Sequence, residues 1–140
     1  MKDVIIDIIG AQGFGDQNDV IELSTIGKMQ QREGKFLLTY EENETLKPNT
    51  IKTTLKADGN NRVTMIRSGA VNSKLIIEKG KRNTCFYSIP QGELMLGIFG
   101  EEIDNTLNNN GGKVKMSYTI DIDNNLLSKN TVEISVKYSV

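Results

Sequence analysis

The sequence predicts an all-β protein, a single meandering antiparallel barrel of about eight to ten strands. Apolar and polar residues alternate with a period of two along most of the chain, which is typical of strands that bury one face. Turn signals rich in glycine, asparagine and aspartate separate these segments at intervals of roughly 8–12 residues, as in barrels and sandwiches. No segment carries the apolar stripe of the crossover helices that parallel strands need.

The first half of the chain supplies five predicted strands. They are residues 2–9, 20–32, 35–42, 50–57 and 62–68. The turn at 58–61 (Asp-Gly-Asn-Asn) is a strong hairpin signal, because glycine and asparagine tolerate a positive φ. The glycine-rich segment 10–16 is expected to be a flexible hairpin connection between the first two strands.

The second half supplies the remaining predicted strands. They are residues 73–79, 82–89, 92–103, 113–122 and 132–138. Turns are expected at 90–92 (Pro-Gln-Gly) and at 123–125 (Asp-Asn-Asn). The segment 101–107 lacks the length and the apolar stripe of a helix, so it is predicted to be a strand end followed by a turn.

Length and charge limit the class of protein. The 140 residues have the usual size of one domain without an internal linker or repeat, so we predict a single domain over residues 1–140. The net charge of −1 argues against nucleic-acid binding, which needs clustered cations. No apolar run reaches the roughly 18–20 residues of a membrane span. The N-terminal apolar run contains acids and lacks a signal-peptide cleavage site, so we expect a cytoplasmic protein.

The sequence contains no catalytic, metal or cofactor motif, and we predict a non-enzymatic protein without a cofactor. Histidine is absent, which removes the commonest general base and metal ligand. The acid pairs Glu41-Glu42 and Glu101-Glu102 are adjacent, so their carboxylates are expected on opposite strand faces rather than in a catalytic pair. Cys85 lies in an alternating segment and is interpreted as a buried thiol.

Arg67 is the residue that points most directly to a function. It shares a strand face with Val63 and Met65. If that face is the inner one, a guanidinium points into the barrel, where a buried cation needs an anionic partner. The sequence leaves two interpretations of this partner open.

The partner of Arg67 is either a ligand or a part of the chain. In the first interpretation Arg67 binds the carboxylate or phosphate of a small ligand, and Tyr40, Tyr87 or Tyr118 lends a hydroxyl group. In the second, Arg67 lies at the barrel rim or pairs with an acid such as Glu42, and it only ties strands together.

Several segments of the sequence together resemble the YwiB-like family of bacterial proteins. They are 38–42 (Leu-Thr-Tyr-Glu-Glu), 66–73 (Ile-Arg-Ser-Gly-Ala-Val-Asn-Ser), the turn at 90–92, and 111–112 (Gly-Gly) with the following hairpin as far as 128–130 (Ser-Lys-Asn). This family is similar in fold to the calycins, which are lipocalin-like barrels, and its function is undefined. The resemblance therefore implies a calycin-like barrel and assigns no site residue. The chain has no tryptophan and lacks the Gly-x-Trp signature of lipocalins.

Two hypotheses of function remain open at this point. In the first, the barrel interior binds a small amphipathic, hydrophobic or anionic molecule. In the second, side chains fill the interior, and the protein is a homodimer or docks on a protein partner. Such association is favoured by two segments that are apolar on both faces, 4–9 and 94–99. Packing distinguishes the hypotheses, because a barrel of this size either holds one small ligand or is filled by side chains. The expected filling residues are Phe36, Met65, Phe86, Leu96 and Met116.

Overall fold

The computed structural model describes residues 2–14, 17–43, 50–69, 72–89 and 92–138. These residues form ten antiparallel strands in a closed barrel, where each strand pairs with its sequence neighbours and β1 pairs with β10. The strands are β1 (Lys2–Phe14), β2 (Gln17–Arg32), β3 (Lys35–Asn43), β4 (Thr50–Asp58), β5 (Arg62–Gly69), β6 (Asn72–Glu78), β7 (Arg82–Ile89), β8 (Gly92–Asn105), β9 (Gly112–Ile122) and β10 (Asn125–Tyr138). The predicted all-β meander is confirmed.

The middle of the barrel is filled by apolar side chains from the inner faces of the strands. Ten of them, apart from the small Ala57, are at most 1% exposed: Val4, Ile6, Leu38, Leu55, Val63, Ile77, Ile98, Val114, Met116 and Ile134. Burying one side chain of this size stabilises the fold by about 1.5–3 kcal/mol. This layer makes the barrel a packed core rather than an open cup at mid-height.

One predicted loop is a strand. Residues 10–14 continue β1, and they pair with β2 on one side and with β10 on the other, through Gly10↔Ile21 and Gly10↔Val132. Glycine is a poor strand former, but pairing on both sides overrides a weak local preference. The expectation of a flexible connection over 10–16 was therefore wrong for 10–14, and residues 15–16 lie outside the described ranges.

One predicted interior residue lies on the outside. Phe86 is 58% exposed, because the alternation of β7 turns its neighbour Cys85 inward instead. Met65, Leu96 and Met116 are buried as expected, and Phe36 is half-buried. The packed interior therefore forms without the aromatic ring of Phe86.

The predicted turns and strand ends agree with the structure where it describes them. The 58–61 turn contains Gly59 at a φ of 56°, and β8 ends at Asn105, which confirms the strand end predicted within 101–107. Residues 90–91 of the predicted Pro-Gln-Gly turn are outside the described part of the chain.

Glu101 and Glu102 are both exposed, since the register shifts between Gly100 and Glu102 and interrupts the alternation.

The seam between β6 and β7 is the least complete strand pairing of the described barrel. These strands pair at Asn72↔Ser88 and Ser73↔Tyr87. A single further bridge joins Glu78, at the end of β6, to Lys81, just before β7. Within the seam, the backbone N–H of Ile76 donates to Sγ of Cys85 at 3.4 Å. Cys85 is 3% exposed, so the predicted buried thiol is confirmed.

Candidate ligand-binding site

Five polar residues on five consecutive strands lie side by side on the inner face at one end of the barrel. Thr53 on β4 has Tyr40 of β3 on one side and Arg67 of β5 on the other. Ser73 of β6 lies beside Arg67, and Tyr87 of β7 lies beside Ser73. Directly opposite residues have Cβ atoms about 4.5–5.5 Å apart. We call these five residues the polar row.

The strand alternation explains why the polar row faces inward. On β5 the buried positions are Val63 and Met65, and Arg67 follows with the same period. Thr53 is fully buried, and Tyr40 and Ser73 are 4% and 8% exposed. Arg67 and Tyr87 are half-buried, so this end of the interior remains open to solvent at these two residues.

Tyr118 of β9 faces the polar row across the barrel. It is 7% exposed, and burial raises the pKa of its hydroxyl, while the positive charge of Arg67 acts in the opposite direction. Three of the four predicted site residues, Arg67, Tyr40 and Tyr87, thus lie in the polar row. The fourth, Tyr118, lies on a different strand, within range of the charge of Arg67.

Two buried hydroxyl groups flank Arg67. Oγ1 of Thr53 and Oγ of Ser73 are buried and make no hydrogen bond to any residue that the structure describes. A buried hydroxyl without a partner costs about 1–3 kcal/mol, and native proteins keep few of them. Nε of Arg67 is buried between these two strands as well. These hydroxyl groups are available to a bound ligand.

Arg67 is also engaged within the protein. Arg67 and Tyr40 both take part in further interactions. The side chain of Glu42, the acid expected as a structural partner of Arg67, lies outside the described part of the structure. Arg67 continues the inward-facing positions of β5.

Sequence reasoning missed a second buried polar pair beside Tyr118. Nδ2 of Asn130 donates to Oγ of Ser128 at 3.0 Å, and both residues are buried. Asn130 is the cross-strand partner of Tyr118. The signal was present in the alternation of β10, in which polar inner positions precede Val132 and Ile134. Only the strand register reveals that these residues approach the site.

The opposite end of the barrel carries a cleft of about 280 Å³. Its lining consists of Lys2, Met29, Gln30, Gln31, Phe36, Asn109 and Tyr138. Nζ of Lys2 lies 5.1 Å from the ring centre of Tyr138, within the range of a cation–π contact. None of the predicted site residues lines this cleft, so it is separate from the polar row.

The described residues hold no group of three or more potential ligands that could bind a metal ion. Within the same ranges, no helix has the length and apolar character of a membrane span.

Comparison with known proteins identifies a family. The model of the family "Domain of unknown function (DUF1934)" matches residues 6–134. The crystal structure of ywiB protein from Bacillus subtilis is similar to this chain with a TM-score of 0.86 and 22% sequence identity, over 99% of this chain and 93% of that one. No curated protein matches. The structural match supports the ten-stranded barrel, and the family match confirms the resemblance seen in the sequence. The chain belongs to the DUF1934 family.

Proposed function

We propose that this protein binds a small anion, of the carboxylate or phosphate type, at the polar row, and that it catalyses no reaction on it. One observation carries the proposal: Thr53 and Ser73 hold buried hydroxyl groups without described partners on both sides of the Arg67 guanidinium. A guanidinium presents several N–H donors in a fixed fork that fits a carboxylate or phosphate. Hydroxyl groups donate to the same oxygens.

The packing of the barrel limits the size of this ligand. Toward the middle of the barrel the polar row is followed by Leu55, Met65 and Leu75, all buried. We therefore do not expect an amphipathic molecule with a long apolar tail to fit beside them. The ligand therefore sits at the barrel end, with its anionic group on Arg67 and the remainder toward solvent.

The test compares two arginines of the same strand. Arg67→Met removes the charge from the polar row, whereas Arg62→Met removes an exposed charge that pairs with Asp58 at 3.6 Å. Calorimetric titration with inorganic phosphate, acetate and octanoate measures the affinity of each variant. We expect Arg67→Met to weaken phosphate or acetate binding about tenfold or more, since charged hydrogen bonds contribute about 1.5–3 kcal/mol. Arg62→Met should leave the affinity unchanged.

Three outcomes of this test would contradict the proposal. They are no binding of phosphate or acetate to the unchanged protein at millimolar concentration, an equal loss of affinity in both variants, and a lower melting temperature of Arg67→Met without any change in affinity. The last outcome would make Arg67 a purely structural residue. Octanoate that binds much more tightly than acetate would show that the interior accepts an apolar tail, against the packing described above.

We also propose that the protein binds this anion in the cytoplasm, where a thiol such as Cys85 stays reduced. The absence of histidine supports the non-enzymatic part of the proposal. The calycin relationship implied by the resemblance stays a prediction, and anion binding at the polar row does not depend on it.

A further inference from the structure

One long strand edge of the described barrel has no neighbouring strand. β2 pairs with β1 over residues 17–29, from Phe14↔Gln17 to Lys2↔Met29. On its other side it pairs with β3 only from Lys28↔Thr39 onward. On that side residues 17–26 pair with no strand that the structure describes, whereas Gly27 is buried against Thr39 and Tyr40 of β3. We call this side of residues 17–26 the free edge.

The free edge lacks most of the features that usually keep strand edges from pairing, although it carries the acids Asp19 and Glu22. Residues 17–26 contain no lysine, arginine or proline, and the register of β2 against β1 runs without a shift, so no bulge turns the edge away. Apolar side chains stand beside it, with Val20, Ile21 and Ile26 exposed by 64%, 66% and 69%. An edge of this kind is a template for another strand.

We propose that two copies of this chain pair through their free edges, antiparallel, about a two-fold axis at Leu23. Two exposed apolar residues are placed symmetrically about this position. Val20 and Ile26 lie three residues on either side of Leu23, so each Val20 meets the Ile26 of the second copy. Both side chains point to the outer face, and residues that lie opposite each other in an antiparallel pair share a face.

The charges of β2 favour the same register. With the axis at Leu23, each Glu22 lies opposite Ser24. With the axis at Glu22, two carboxylates would lie directly opposite each other, which destabilises a strand pair. The ladder spans residues 20–26 and ends there, because Gly27 already packs against Thr39 and Tyr40 of β3. A second copy of this strand thus matches the edge in backbone, apolar contacts and charge.

A different apolar surface provides the matched control. Phe86 and Met95 are cross-strand partners on the outer face of β7 and β8, and they are 58% and 56% exposed. They are nearly as exposed as Val20 and Ile26, but they lie away from the free edge, on strands that pair with each other. If nonspecific hydrophobic contacts caused the association, both surfaces would contribute to it.

The first experiment measures the molar mass in solution by light scattering. We expect the unchanged protein to be a dimer, the double variant V20K/I26K to be a monomer with a strand-rich circular dichroism spectrum, and F86K/M95K to be a dimer. A strictly monomeric unchanged protein, or dissociation of F86K/M95K but not of V20K/I26K, would overturn the proposal. Association beyond a dimer would overturn it as well, because the two-fold pairing closes on itself.

The second experiment tests the register by disulfide cross-linking. The native Cys85 is buried and does not compete. In Leu23→Cys the two new thiols lie opposite each other, at a Cβ separation close to that of a disulfide. In Glu22→Cys each thiol lies opposite Ser24 instead. We expect a covalent dimer of Leu23→Cys under mild oxidation and little of Glu22→Cys. Cross-linking of Glu22→Cys alone, or of neither, would refute the pairing at Leu23.

Discussion

The middle of the barrel and its polar end are built from the same strands, two residues apart. On β4, Leu55 lies in the middle and Thr53 at the polar end, and on β6 Leu75 and Ser73 have the same relation. All four side chains are buried. Burial stabilises the fold at the leucines, whereas it costs free energy at hydroxyl groups that lack a partner. These neighbouring positions therefore follow different requirements, packing in one layer and polar contacts in the other.

The largest expected effect lies in the middle layer. Leu55→Ala should lower the free energy of unfolding by about 3 kcal/mol, because it removes buried methyl groups and leaves a cavity. Urea denaturation followed by circular dichroism measures this loss. Anion affinity at the polar row should stay within a factor of about two of the original, since the guanidinium and its flanking hydroxyl groups remain. A loss below about 1 kcal/mol would mean that the middle layer is not tightly packed.

A smaller effect of opposite sign is expected two residues away. Thr53→Val keeps the shape of the side chain and removes the buried hydroxyl without a described partner, so the free energy of unfolding should rise by about 1 kcal/mol. The same denaturation assay measures this gain, and titration with phosphate or acetate should show weaker binding. If Thr53→Val destabilises the protein instead, the hydroxyl has a structural partner, and the argument from unsatisfied hydroxyl groups fails.

The third effect concerns the pKa of Tyr118. Burial raises this pKa above that of an ordinary tyrosine, and the charge of Arg67 lowers it. Arg67→Met should therefore raise the pKa of Tyr118 further, while Arg62→Met leaves it unchanged. Tyrosinate absorbance during an alkaline titration, with Tyr118→Phe as the reference, measures the shift. A lower pKa in Arg67→Met would show that the two side chains do not face each other.

The same pKa has a consequence for stability at high pH. A raised pKa in the folded state means that folding favours the neutral phenol. Its contribution to stability is complete below the pKa of about 10 of an unfolded tyrosine and is lost as the pH rises above that value. Tyr118→Phe should reduce this alkaline loss of stability, as measured by melting temperatures across this range. An unchanged loss would assign it to other groups.

The smallest effect is expected on the outer surface of the barrel, where Arg82 pairs with Asp121. Arg82 donates to both carboxylate oxygens of Asp121, at 3.0 and 2.7 Å. The hydrogen bond from Arg82 lowers the pKa of Asp121. The contribution of this ion pair to stability is therefore present above the ordinary carboxyl pKa, and it is lost as the pH falls through the lowered pKa of Asp121. The difference in melting temperature between the unchanged protein and Arg82→Met should shrink in acid. A constant difference would contradict this.

The alternation of residue types was enough to predict most of the strands and to place Arg67 on the same face as Val63 and Met65. It was not enough to predict the polar row, because the partner of a residue depends on the register of each hairpin. Thr53 lies beside Arg67 because the turn after Asp58 closes the pair Asp58↔Arg62; a slip of one residue would turn the facing side chains to opposite faces. The strand at residues 10–14 was missed for a related reason, since its pairing with β10 involves residues more than a hundred positions away.

The seam between β6 and β7 gives the protein an internal reporter of barrel opening. Local separation of these strands would expose the thiol of Cys85, so its rate of reaction with a thiol reagent measures how often the seam opens. Ser73 and Tyr87 belong to the polar row and form one of the two strand pairs that hold the seam. An anion bound to both residues would hold the two strands together and slow the reaction of Cys85. The rate of this reaction would therefore report ligand binding.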